Sequence, residues 1–172
     1  MIRNTSKRIL ALEIRRHRYG FAVLEGRKKL LEYGAGSYTS RSSIVPSINR
    51  IIATHKPEMI VVRRLRQSYA SDRRATVETV KQIRAVAEER AIPIEFISSE
   101  EVRLAFQQDA PRNKDGIAGA LAKMFPELRW KLPKVRKLWM SESYNMIMFD
   151  AVASAITMRM RNERKVIHIE SE

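Results

Sequence analysis

The chain of 172 residues contains no cysteine, which excludes disulfides and thiolate zinc sites. Only three histidines occur, His17, His55 and His168, and they lack the close spacing of metal-ligand pairs. Glycine and proline number six each, too few for a low-complexity or collagen-like chain. No apolar run approaches the roughly 20 residues needed to cross a bilayer. The first residues lead into a strand-like stretch interrupted by Glu13 rather than into a signal-peptide core. A soluble, cytoplasmic protein without membrane association is the expectation. Negative charge is also scarce: 19 acids stand against 33 lysines and arginines, leaving +14. That balance favours a polyanionic partner, with nucleic acid the commonest, although an acidic protein or ribosomal RNA satisfies the same charge.

A hydrophobic fraction of 44% is ordinary for a globular domain, and the length suits a single one. Residues 9–14 read as a buried strand, 15–18 as a basic turn, and 19–25 and 30–38 as two further strands around a turn at Gly26. Residues 43–55 carry Ile44, Ile48, Ile51 and Ile52 at helical spacing, and Pro57 stops that helix. A fourth strand covers 59–62, a long amphipathic helix 73–90, and a fifth strand 92–97. Ser98 and Glu101 form a capping pattern for a helix to about residue 107. Another helix spans 113–125. A basic, tryptophan-containing insertion at 127–143 precedes the last helix, and a tail at 162–172 holds a segment, 165–169, expected as an edge strand or a free end. The order β-β-β-α-β-α-β-α-α-α implies an α/β fold: a five-stranded mixed sheet, three antiparallel strands then two parallel ones, with helices on both faces.

Residues 146–158 are apolar on nearly every side, which requires burial, yet Asp150 sits inside them. A buried carboxylate needs a cation, a metal or several hydrogen bonds. The alternative is an exposed Asp near the helix start, facing the positive end of the helix dipole. Met146, Met148, Met158 and Met160 on this helix are read as core and interface packing. The strands at 9 and 59 are expected as the central parallel pair, and α/β sites lie at the carboxyl edge of such strands. That edge receives Glu13, Arg63, Arg64 and Arg66, together with the turn Arg15-Arg16-His17-Arg18.

Ile9-Leu-Ala-Leu-Glu-Ile followed by Tyr19-Gly-Phe-Ala-Val resembles the opening of the RuvC-type Holliday junction resolvases, where the first strand ends in an Asp. Residues 57–63 resemble the family's fourth strand, 92–97 its fifth, Asn113-Lys-Asp-Gly its lysine-containing helix start, and Phe149-Asp-Ala-Val-Ala its final catalytic helix. The resemblance spans about residues 8–160. It implies an RNase H-like nuclease fold, DNA recombination as the setting, dimerisation, and two Mg²⁺ ions held by about four carboxylates. The site residues carried over depart from that pattern. Glu13 replaces the first Asp and carries its carboxylate about an ångström further out. Arg63 stands at the second acid's position, and a guanidinium binds no Mg²⁺. Asp150 matches the last ligand, while Ile147 replaces its companion one turn earlier. Glu142 is a candidate substitute.

The expectation is therefore a single RuvC-like domain over 1–172 that binds structured or branched nucleic acid, DNA before RNA. Its catalytic centre is read as degraded, no cofactor is expected, and Arg63 pairs with Glu13 or Asp150. Arg15, Arg16, Arg18, Arg64, Arg66, Arg73, Arg74 and Lys114 form the binding edge. Lys131, Lys134, Arg136 and Lys137, interleaved with Trp130 and Trp139, suit stacking on unpaired bases, unless the indoles form a small satellite core. Two other readings remain: an active endonuclease with Mg²⁺ on Glu13, Asp150 and Glu142, and a basic scaffold for ribosomal RNA or an acidic protein.

Overall fold

The computed structural model describes residues 7–64, 70–108 and 113–170. Strands β1 (Arg8–Ile14), β2 (Arg18–Glu25) and β3 (Lys29–Ser37) precede α1 (Val45–His55). They are followed by β4 (Met59–Arg63), α2 (Ala70–Glu89), β5 (Ile94–Ile97), α3 (Ser99–Ala105), α4 (Lys114–Met124) and α5 (Met146–Glu170). The sheet order is β3-β2-β1-β4-β5. The two hairpin pairings are antiparallel, and β1–β4 and β4–β5 are parallel.

Alternation along β1 separates two cores. Ile9 and Ala11 join Ala22, Leu24 and Val61 beneath α3, α4 and α5. Leu10, Leu12 and Ile14 join Phe21, Val23 and Val62 beneath α1 and α2. This period-2 division is the signature of a sheet buried on both sides. α1 ends at Lys56, whose left-handed backbone returns its N–H to Ile52 O at 2.8 Å just ahead of Pro57. The reciprocal capping box of Ser98 and Glu101 starts α3.

From Met146 to Met158, α5 is buried on every side and crosses the sheet. Its first turn rests on β2 at Gly20. A Cβ built there would lie 2.1 Å from Ile147 O, so only glycine permits this approach. Gly20 is also the cross-strand partner of Glu13, and the same contact brings the start of α5 over the end of β1. Further along, Arg161 ties the helix to Glu95 and Glu101 and donates to Phe96 O.

One expectation is corrected. Residues 165–169 neither add a strand nor trail free, because α5 continues as helix to Glu170. No Pro or Gly interrupts the chain after Met158, and helix propagation continues without a breaker. At the start of the insertion, Pro126–Lys131 forms a 3₁₀ turn that buries Leu128 in the α5-side core. No helix among the described residues is long and apolar enough to cross a membrane.

Candidate nucleic-acid edge and its acid–base cluster

The register that pairs Leu12 with Val62 sets Glu13 and Arg63 beside each other, both on the α5 face. α5 supplies Asp150, which is buried rather than exposed at a helix start. The segment before α5 supplies Glu142. These residues line one cleft of about 440 Å³ with Arg15, Arg16, Arg18, Arg64 and Lys114.

Arg63 is committed to α5. Its Nε donates to Ser154 Oγ at 2.9 Å and a terminal nitrogen donates to Asp150 O at 2.9 Å, while Ser154 Oγ donates to that same carbonyl at 3.0 Å. The Nε lies 3.7 Å from Glu13 Oε2, a charge contact without a hydrogen bond. Arg63 therefore meets the backbone of Asp150 rather than its carboxylate.

Arg15 and Lys114 meet that carboxylate instead. Arg15 donates to Asp150 Oδ2 at 2.8 Å and Lys114 to the same oxygen at 3.0 Å. Both also hold Glu142, Lys114 at 2.7 Å and Arg15 at 3.1 Å. The two cations thus bridge a loop carboxylate to a helix carboxylate. Arg15 approaches Glu13 only at 3.9 Å. The basic turn itself is pinned by Arg15 N–H to Arg18 O, Tyr38 N–H to His17 O, and the Tyr38 hydroxyl donating to Arg15 O.

The carboxylates respond differently. Glu13 is pushed up to about 7, chiefly by burial and then by the negative charge of Asp150; Arg63, Arg15 and Lys114 offset this only in part. Its Oε2 is buried without a hydrogen-bond partner. Glu142 moves the other way. Burial raises it, but the hydrogen bond and charge of Lys114, with those of Arg15, hold it below the usual carboxylate range.

The set does not fit a divalent ion as arranged. Asp150 Oδ2 already accepts from two cations, and Arg63 adds a third positive charge. No group of three or more acids or histidines capable of holding a metal occurs among the described residues. What the arrangement provides is a polar strut joining β1, β4, α4, α5 and the loop before it, beneath a basic rim.

That rim contains Arg16, Arg18 and Arg64. Arg18 lies over the ring of Tyr144, 5.8 Å from its centroid. Arg73 and Arg74 are exposed in the first turns of α2, outside the cleft lining, and Arg66 lies outside the described residues. Lys134 and Arg136 line a second groove. Lys131 and Lys137 stand over Trp130 and Trp139. Both indoles are exposed, so they form no satellite core. Sequence reasoning placed Arg15 and Lys114 among the nucleic-acid contacts and missed their hold on Asp150. For Arg15 the signal was present: positions 9, 11, 13 and 15 share one face of an alternating strand.

No protein-family model matches the chain, and neither does any curated protein. Solved structures do. Thermus thermophilus RuvC in complex with Holliday junction substrate aligns with a TM-score of 0.66 at 14% identity, over 88% of this chain and 91% of that one. A second Thermus thermophilus RuvC structure aligns at 0.61 and 16% identity, over 87% and 92%. The yeast mitochondrial Holliday junction resolvase Ydc2 aligns at 0.67 and 12% identity, over 93% and 81%. With the strand order and the helices above, these likenesses establish that the chain has the RNase H-like fold of the RuvC-type Holliday junction resolvases.

Proposed function

We propose that this protein binds branched or structured nucleic acid, DNA in preference to RNA, along the carboxyl edge of its sheet, and that the acids there act as an ion-paired strut rather than a cutting centre. The observation that carries the reading is the occupation of the acid cluster by Arg15, Lys114 and Arg63 beneath a rim of further arginines. A polyanion is drawn to such a rim by phosphate contacts and counterion release. Branched DNA is favoured as the ligand class because one protein of this fold is described with a Holliday junction substrate.

The test is an anisotropy titration of a four-way junction, a duplex and a single strand across a salt series, with the same junction incubated in Mg²⁺ or Mn²⁺. Junction binding that weakens steeply with salt, without cleavage, is the expected result. Specific nicking in either metal would replace the strut with an active site, and no binding at low salt would remove the whole proposal. One observation favours the second reading, a divalent-metal endonuclease: Glu13, Glu142 and Asp150 do converge on a single cleft. That reading requires Arg15 and Lys114 to leave Asp150 when a metal arrives.

A further inference from the structure

We infer that the segment from Trp130 to Tyr144 is an arm that stacks on unpaired bases, so that the ligand of this protein carries unstacked nucleotides next to its duplex portion. This rests on the nucleic-acid reading above and specifies its ligand.

The two tryptophans of the chain are both on this arm. They are 77% and 80% exposed, Val135 is 79% exposed and Leu138 97%. A cluster of large apolar side chains left in water marks a binding surface. Its charge limits what binds. No acid occurs between Glu127 and Glu142, whereas Lys131, Lys134, Arg136 and Lys137 alternate with the apolar residues. Lys131 Nζ lies 4.9 Å from the Trp130 ring centre and Lys137 Nζ 5.4 Å from that of Trp139. Each indole thus has an ammonium at its ring, while most of its surface remains open. A base stacked on an indole would bring its phosphate within reach of that ammonium, the combination used by single-strand binding surfaces.

The arm also connects to the main cleft. Its inner side forms a groove of about 530 Å³ with the start of α4, and Lys114 and Glu142 line both groove and cleft. A strand leaving the cleft can enter this groove, which Pro133, Lys134, Arg136 and Met140 of the arm line. A second copy of the chain is disfavoured as occupant, because it would bring its own charge of +14 to a basic surface. Intact duplex is disfavoured because its bases are already stacked.

Tryptophan emission, excited at the red edge of the indole band so that the five tyrosines stay silent, reports on the arm alone, since both tryptophans lie there. The full-length protein is titrated at low salt with a short oligothymidylate, a duplex, heparin and polyglutamate, while anisotropy of labelled oligothymidylate follows binding. Oligothymidylate is expected to quench the emission, whereas heparin, which has charge without bases, binds and leaves it unchanged. Trp130→Ala with Trp139→Ala, its fold checked by circular dichroism, should weaken single-strand binding roughly tenfold or more and duplex binding much less. Equal quenching by heparin, or undiminished single-strand binding by the double variant, would overturn the inference. So would a response to polyglutamate matching that to oligothymidylate, which indicates an acidic protein, or emission that changes with protein concentration alone, which indicates a second copy. If anisotropy detects no nucleic acid at all, the proposed function falls with it. If binding persists while the tryptophans stay silent, only the arm's role is lost.

Discussion

Glu13 and Arg63 stand side by side on adjacent parallel strands, 3.7 Å apart, and share no hydrogen bond. The guanidinium is spent on Ser154 and on the carbonyl of Asp150. It stabilises Glu13 by charge alone while joining β4 to α5 by directed bonds.

Removing Arg63 should therefore be expensive. Arg63→Met leaves the buried Glu13 and Asp150 with one cation fewer and deprives Asp150 O and Ser154 Oγ of a donor. Chemical denaturation should register a loss of about 3 kcal/mol. Adding Glu13→Gln should recover part of it, since the uncompensated acid is then gone. A loss under about 1 kcal/mol would mean that solvent replaces the guanidinium freely.

Glu13 also makes stability depend on pH. Its carboxyl is raised from 4.5 to about 7 in the folded state, so the fold binds this proton more tightly than the unfolded chain does. The stabilisation is complete below about 4.5 and is lost as pH rises through about 7. Glu142, held low, contributes with the opposite sign, but it is common to both proteins in a comparison with Glu13→Gln. The variant should gain on the wild type by up to about 3 kcal/mol between pH 4.5 and the range above 7. Urea midpoints across that range check it, and a constant difference would place Glu13 at its ordinary value.

Arg64 is exposed on the rim of the cleft, and under the proposed function it contacts phosphate alone. Arg64→Ala should weaken junction and duplex alike and reduce the slope of log affinity against log salt by about one. Selective loss of one substrate would assign it a role in recognising shape or bases.

Rebuilding an oxygen-rich site is the most demanding experiment. Glu13→Asp, Arg63→Glu and Ile147→Asp together should create a site that binds Mn²⁺ detectably by calorimetry, with Asp150 three residues from the new acid on one helix face. Because Arg15 also holds Asp150, adding Arg15→Gln should tighten the metal roughly tenfold by removing a competitor. A folded variant that binds no metal would show that position 147 does not turn toward the acids.

Much of the architecture was legible because β1 and β4 are short apolar runs between turn signals, α2 is long and periodic, and the first half of α5 is a long run apolar on nearly every side. The acid cluster was legible only in outline. Asp150 was conspicuous as a charge within a greasy helix, and Arg63 through the parallel register. Of the partners of Asp150, Arg15 was hinted at by the alternation of β1, whereas Lys114 was not, since pairing it requires knowing that the first residue of α4 meets the β1–β2 turn over α5. Residues 165–169 misled because Val166, Ile167 and Ile169 are good strand formers, and the preceding helix overrode that local preference.

Gly20 divides this edge into an anvil and a set of movable tools. With Ile147 O seated against its bare Cα, α5 cannot advance toward β2 without a collision of main chains, and the adjustments left to Asp150 are those of its own side chain. Glu142 enters from a loop, and Arg15 and Lys114 reach in on long flexible stems. Any reshaping of this surface, whether by a ligand or by mutation over generations, can therefore proceed by exchanging side chains over a backbone that stays put. The same seat would serve a pocket that cuts and a pocket that only grips.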